Sequence, residues 1–319
     1  MSEIAVIGAG AWGTALAITA AQQGAVTLWA RDAVLAAEMQ ASRRNPRLPG
    51  AVLPPAVSVT HVLPRAALSL FAVPLQHLRA VLGLTSAGGG AVLCCKGVER
   101  GTLRLPLEIL AEIRPEWAGC VLTGPNFAHE IAAGLPAAAV VAGTDAALRR
   151  RVIEALATPA LRLYGLDDPI AAQIGGAAKN VVAIAAGAAM GAGLGENARA
   201  ALITRGLAEL TGLAVALGGR AGTVAGLSGL GDLLLTCTGA GSRNYSLGLA
   251  LGQGRSLEAA LAGRVSVAEG VATAPALVAR AEACGVELPI CRAVARVLGG
   301  EGALAGEMAA LLARPLRDE

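Results

Sequence analysis

Lysine is nearly missing from this chain of 319 residues: among its 26 basic side chains only Lys96 and Lys179 are lysines, the rest being arginine. Aromatic residues are also scarce, at 2%, although hydrophobic residues reach 55% and are mostly Ala, Val and Leu, interspersed with 42 glycines. That mixture suits closely packed helices and buried strands. A long hydrophobic run is lacking too. The uncharged stretch Val181 to Gly195, rich in Ala and Gly, falls short of the roughly 20 strongly apolar residues a bilayer span needs, and no span is expected. The opening "SEIAVIGAGAWG" has no basic n-region of a signal peptide and turns glycine-rich at once. The six cysteines (Cys94, Cys95, Cys120, Cys237, Cys284, Cys291) include no CxxC pair, and His61, His77 and His129 lie scattered. That spacing offers neither a zinc site nor a disulfide framework, so the expectation is reduced thiols in a cytoplasmic protein with no metal. A net charge of +3, with no Lys/Arg tract interleaved with aromatics, argues against a nucleic-acid partner.

What is present begins with alternation. Apolar runs at Ile4–Ile7, Val26–Trp29, Leu68–Val73, Ala91–Cys95, Cys120–Leu122, Ala138–Val141 and Leu161–Tyr164 read as strands. Helical segments such as Thr14–Gln23, Leu75–Val81 and Ala146–Ala157 fall between them. Continuous rather than alternating apolar runs are what strands buried on both faces show. The pattern predicts an α/β domain built on a doubly wound, mostly parallel, Rossmann-like sheet. Past residue 166 the strand signals fade, and Ala171–Ala189, Ala198–Ala216, Ser256–Ala262 and Ala274–Ala283 carry helical spacing. Two domains are therefore expected, 1–166 for dinucleotide binding and 167–319 all-α, with glycine pairs allowing close helix packing.

"IAVIGAGAWG" places Gly8, Gly10 and Gly13 in G-x-G-x-x-G spacing directly after the first strand and at the start of a helix. The first glycine permits the tight turn, the second admits a pyrophosphate, and the third lets helix and strand pack closely. At the end of the second strand stand Arg31 and Asp32. An arginine there pairs with a 2′-phosphate and favours NADP(H), while the aspartate leaves NAD(H) open. Lys96 emerges after another apolar run, at the ligand-binding edge of such a sheet.

A nicotinamide cofactor moves a hydride to a carbonyl carbon, and the oxygen left behind then needs a proton. The histidines have no matching context. Lysine can give a proton where arginine cannot, and Lys179 lies in "GGAAKNVVAIAAG", among small apolar neighbours that disfavour the charged amine. "GLGDLLLTCT" offers Asp232 as an orienting partner, although capping a helix is the commoner role of an Asp after Gly; Thr236 lies one turn further on the same face. Ser242, Arg243 and Asn244 follow, a guanidinium fork for a phosphate flanked by neutral donors. Three readings stand on these residues: a reductase of a small phosphorylated carbonyl, a reductase of small 2-keto or 3-hydroxy acids, and a non-catalytic dinucleotide sensor.

The motifs "GAGAWGTALA", "AVP", "KGVE", "GPNFAHEIAAGLP", "GGAAKNVVAIAAG", "NARAALITRGLAE", "GLGDLLLTCT", "SRN", "LGQG", "VAEG" and "VELPI" occur in this order. Across nearly the whole chain they resemble the NAD(P)-dependent glycerol-3-phosphate dehydrogenases of the bacterial soluble type. The resemblance implies reversible reduction of dihydroxyacetone phosphate to sn-glycerol 3-phosphate, supplying glycerophospholipid synthesis, by a Rossmann-like domain joined to an all-α domain in a homodimer. It implies Lys179 as general acid/base tuned by Asp232, and Lys96 touching both substrate and cofactor. Substrate would be held by Ser242, Arg243 and Asn244, with Gly124 and Asn126 nearby and Asn180 as a polar neighbour. Cofactor contacts would be Ala11, Trp12, Arg31, Ala128, Arg243, Val267 and Glu269. Tyr245 stands where many members carry a further basic residue, and no acidic residue accompanies Met190–Gly191.

Overall fold

A computed structural model of the chain describes residues 4–85, 89–239, 241–262 and 268–313. The chain divides into two compact units, one of Met1–Lys96 and Arg104–Gln173, the other of Gly97–Leu103 and Ile174–Glu319.

In the first unit the order is β1 (Ile4–Ile7), α1 (Ala11–Ala20), β2 (Val26–Trp29), α2 (Ala33–Ser42), β3 (Val57–Thr60), β4 (Leu68–Phe71), α3 (Leu78–Leu84), β5 (Gly90–Leu93), α4 (Pro106–Ile113), β6 (Ala118–Thr123), α5 (Ala128–Ala132), β7 (Ala137–Ala142), α6 (Ala146–Leu156) and β8 (Leu161–Leu166). The strands form one eight-stranded sheet in the order β3-β2-β1-β4-β5-β6-β7-β8. Every pairing is parallel except β6 with β7. Alternate side chains feed two cores, Ile4 and Val6 on one face, Ala5 and Ile7 on the other. Burying each Leu, Ile or Val in them contributes about 1.5–3 kcal/mol.

The expected α/β class with a Rossmann-like sheet is borne out, with one strand added. β3 is absent from the sequence expectation because it is an edge strand with only Val57 buried, preceded by Pro54 and Pro55. An edge strand needs no continuous apolar run.

Among its described residues the second unit is helical: most of α7 (Pro169–Gly191), then α8 (Gly195–Ala216), α9 (Ala221–Val224), a π-helical turn at Leu227–Gly231, α10 (Asp232–Thr238), α11 (Arg243–Gly252), α12 (Leu257–Leu261), α13 (Glu269–Glu282), α14 (Pro289–Gly299) and α15 (Leu304–Leu312). By length and composition α7 qualifies as a membrane span, but 83% of its most apolar window is buried inside the protein. It is a core helix. Small residues let α7 and α11 touch backbone to backbone. Gly187 faces the Tyr245 carbonyl, Gly191 that of Leu249, Gly248 that of Ile184 and Gly252 that of Ala188. Glycines four apart on each helix share one face, and a methyl at any of them would strike the opposite main chain.

Candidate active site

The sheet unit carries the first group of candidate residues. Gly8 follows β1 with φ +117°, a conformation that suits glycine, and its N–H donates to the Trp29 carbonyl at 3.1 Å. A Cβ there would lie 2.8 Å from the Ala72 carbonyl oxygen, just past β4, and one at Gly13 would run into Gly8's own carbonyl. The turn thus sits where strand order reverses between β1 and β4, the place where sheets of this kind bind ligands. Gly10 occupies the N-cap position of α1, and a Cβ built on it meets nothing within 4 Å. Ala11 and Trp12 open α1, half-buried against the core, and Ala128 opens α5, which packs on α1.

Arg31 is exposed directly beyond β2. Asp32 caps α2, accepting from the Leu35 N–H at 2.9 Å. Lys96 lies past β5 with Nζ 3.5 Å from the carbonyl oxygen of Gly124, which follows β6. Nearby in sequence, Asn126 keeps a buried Oδ1 with no hydrogen-bond partner among the described residues. An open turn at a helix N-terminus, an exposed guanidinium beyond β2 and an orphaned buried acceptor fit a dinucleotide.

The helical unit carries the second group. Lys179, 8% exposed, pairs through Nζ with Oδ1 of Asp232, which is fully buried. The N-cap position of α10 falls to Gly231 with no side-chain cap, so the Asp232 carboxylate is directed to the lysine rather than to the helix end. Thr236 donates its hydroxyl to the Asp232 main-chain carbonyl at 2.6 Å and so stays within its own helix. Behind the pair, burial pushes the Cys237 thiol up to about 12, the nearby charges of Lys179 and Arg199 only partly opposing it.

Asn244 donates from Nδ2 to Asn180 Oδ1 at 2.9 Å and accepts at Oδ1 from the Gly270 N–H at 3.0 Å. This ties α7, α11 and α13 together beside Lys179. Ser242 caps α11 by accepting from the Tyr245 N–H at 3.2 Å, and Arg243 opens that helix, exposed. Tyr245 is buried, so its ring belongs to the core rather than to the surface where Arg243 stands. Glu269 is the first residue of α13, while Val267 lies outside the described residues. Gly175 makes room for the main chain of Ser228, so protein rather than ligand takes the space of its missing side chain. His61, His77 and His129 are all exposed, the last in the first turn of α5.

The sheet order, its glycine turn and the buried lysine–carboxylate pair define a class, the Rossmann-type oxidoreductases with a helical second unit. The family model for the N-terminus of NAD-dependent glycerol-3-phosphate dehydrogenase matches residues 3–149, and that for its C-terminus residues 168–307. A glycerol-3-phosphate dehydrogenase (NAD(P)+) of Acidiphilium cryptum is 59% identical, covering 99% of this chain and 98% of its own. One from Caulobacter vibrioides is 54% identical over the same shares. The crystal structure of glycerol-3-phosphate dehydrogenase from Coxiella burnetii superposes with a TM-score of 0.93 at 36% identity, covering 98% of each chain. The chain belongs to the NAD-dependent glycerol-3-phosphate dehydrogenase family.

Proposed function

We propose that this protein interconverts dihydroxyacetone phosphate and sn-glycerol 3-phosphate, preferring NADP(H) while accepting NAD(H), as a cytoplasmic homodimer that supplies glycerophospholipid synthesis. The observation that carries the mechanism is the buried Lys179–Asp232 pair. When bound, the nicotinamide donates or accepts the hydride at substrate C2. Lys179 gives its Nζ proton to the C2 oxygen as the carbonyl becomes an alcohol, and takes it back in the reverse direction. Asp232 holds that ammonium in place.

Arg243 supplies a fork for the substrate phosphate. The Ser242 hydroxyl, which accepts from Tyr245 N–H, keeps its own proton to donate. The second N–H of Asn244 Nδ2 is available in the same way, with Asn180 fixing its direction. In this reading Thr236 stabilises the start of α10 beneath the substrate. Lys96, Gly124 and Asn126 line the nicotinamide end of the sheet unit's site, while Ala11, Trp12 and Ala128 border the cofactor there. An exposed Arg31, with Asp32 engaged in capping α2, supports the preference for a 2′-phosphate.

A steady-state assay with NADPH and NADH decides the reading. Oxidation of NADPH is expected with dihydroxyacetone phosphate and not with phosphate-free 2-keto acids. Turnover of keto acids alone would instead identify a keto-acid reductase, and tight NADPH binding without turnover a sensor. Arg31→Ala should lower the NADPH-over-NADH ratio of kcat/KM about tenfold, the worth of one charge-assisted contact.

A further inference from the structure

Asn45, only 2% exposed, joins the loop after α2 to the glycine-rich turn. Its Nδ2 donates to the Ala9 carbonyl at 3.2 Å and to Thr14 Oγ1 at 2.6 Å, and its Oδ1 accepts from the Arg47 N–H at 2.9 Å. The loop is itself fixed from its other side. Arg43, in the left-handed region at φ 57°, donates from its guanidinium to the carbonyls of Leu53 at 3.3 Å, Val57 at 2.7 Å and Pro54. Arg44 bridges to Val52. Asn45 therefore reaches the turn from a held base.

Ala9 lies between two glycines, whose wide backbone freedom lets the intervening peptides rotate. In a planar trans peptide the C=O and the following N–H point in opposite directions. An Ala9 carbonyl held toward Asn45 turns the Gly10 N–H away from it. That N–H has no partner among the described residues, and the space beside Gly10 is open. The geometry points to Asn45 as a positioning residue for the dinucleotide: it presets the Ala9–Gly10 peptide so that the Gly10 N–H faces the pyrophosphate before the cofactor arrives. A binding loop ordered in advance avoids an ordering cost on association. The inference rests on the proposed dinucleotide role of this turn.

Direct titration with NADPH, followed by nicotinamide fluorescence, tests it without turnover. Asn45→Ala should raise the Kd about tenfold, or about 1.4 kcal/mol. Its kcat at saturating NADPH and its KM for dihydroxyacetone phosphate should stay at wild-type values. Thr14→Val should weaken NADPH binding in the same direction, and Thr14→Ser, which keeps the acceptor oxygen, should restore it. Wild-type Kd in folded Asn45→Ala overturns the inference, as does a lowered Tm with unchanged Kd. If Asn45→Ala does not fold, the Thr14 pair decides: equal NADPH affinity of the Val and Ser variants overturns the assignment. Wild-type protein that binds no NADPH would instead overturn the dinucleotide reading itself.

Discussion

The two units place their candidate site residues by opposite means. In the sheet unit the central atoms are main-chain amides at the start of α1, exposed by glycines and left open to a ligand. In the helical unit they are side chains, Lys179 and Asp232, withdrawn from water and held by a contact between two helices. Glycine changes its task accordingly. Beside Gly10 there is empty space, whereas Gly187, Gly191, Gly248 and Gly252 have the partner helix's main chain where a side chain would stand. The difference suits the chemistry. An anion can be held by amides that stay solvated until it arrives, whereas a proton donor works best where water cannot compete for its charge.

The hardest test of this contrast is Lys179→Ala. Turnover should fall by about 10³-fold, within the range of a lost general acid, while NADPH affinity stays near wild type because the amides of the other unit are untouched. Lys179→Arg should fail nearly as badly, since it keeps the charge but yields no proton. Near-normal turnover of either variant would end the division of labour.

The buried pair also carries a stability prediction. Asp232→Asn removes the carboxylate from a buried ammonium and should cost about 3–5 kcal/mol in a denaturant melt. The double change Asp232→Leu with Lys179→Met should recover most of that stability with no recovery of activity. A double variant as unstable as Asp232→Asn would show that the pair is not the source of the loss.

Two glycine substitutions sharpen the comparison further. Gly248→Ala pushes a methyl into the Ile184 carbonyl and should destabilise by about 1–3 kcal/mol as overpacking does. Gly10→Ala meets no neighbour, so its Tm should be unchanged while NADPH titration shows weaker binding. The same Gly→Ala change would thus be read as stability in one unit and as affinity in the other.

The smallest effect is shared. Burial pushes the thiols of Cys120 in the sheet unit and Cys237 in the helical unit up from 9.0 to about 12. Folding then retains protons that the unfolded chain releases, so stability should be full below pH 9 and decline as the pH rises toward 12. Cys120→Ala and Cys237→Ala should each flatten that decline in thermal melts across pH 8 to 11.

Much of the sheet unit could be read directly, because its signals are local. Strand, Gly8, Gly10, Gly13 and helix occupy a single short stretch, and the strands buried on both faces announce themselves as apolar runs. β3 escaped because an edge strand is under no such compositional demand. In the helical unit the scarcity of lysine singles out Lys179, and the stretch "GLGDLLLTCT" offers Asp232 as its partner, but their contact spans 53 positions. Asn244 looked like a ligand donor next to Arg243; that it also ties Asn180 to Gly270 depends on three helices converging. Asn45 carried no signal at all, since a buried clamp and a loop asparagine read alike.

Legible in the sequence alone are the α/β alternation, the helical second half, the glycine-rich turn and the rarity of lysine that singles out Lys179. Each follows from backbone sterics, periodicity or side-chain chemistry acting within a few residues. Only the tertiary structure decided that Gly97–Leu103 joins the second unit, that Asp232 pairs with Lys179 instead of capping its helix, and that Asn45 grips Ala9. Those outcomes depend on which distant groups are buried together, and a buried polar atom takes the partner that packing brings within hydrogen-bonding reach.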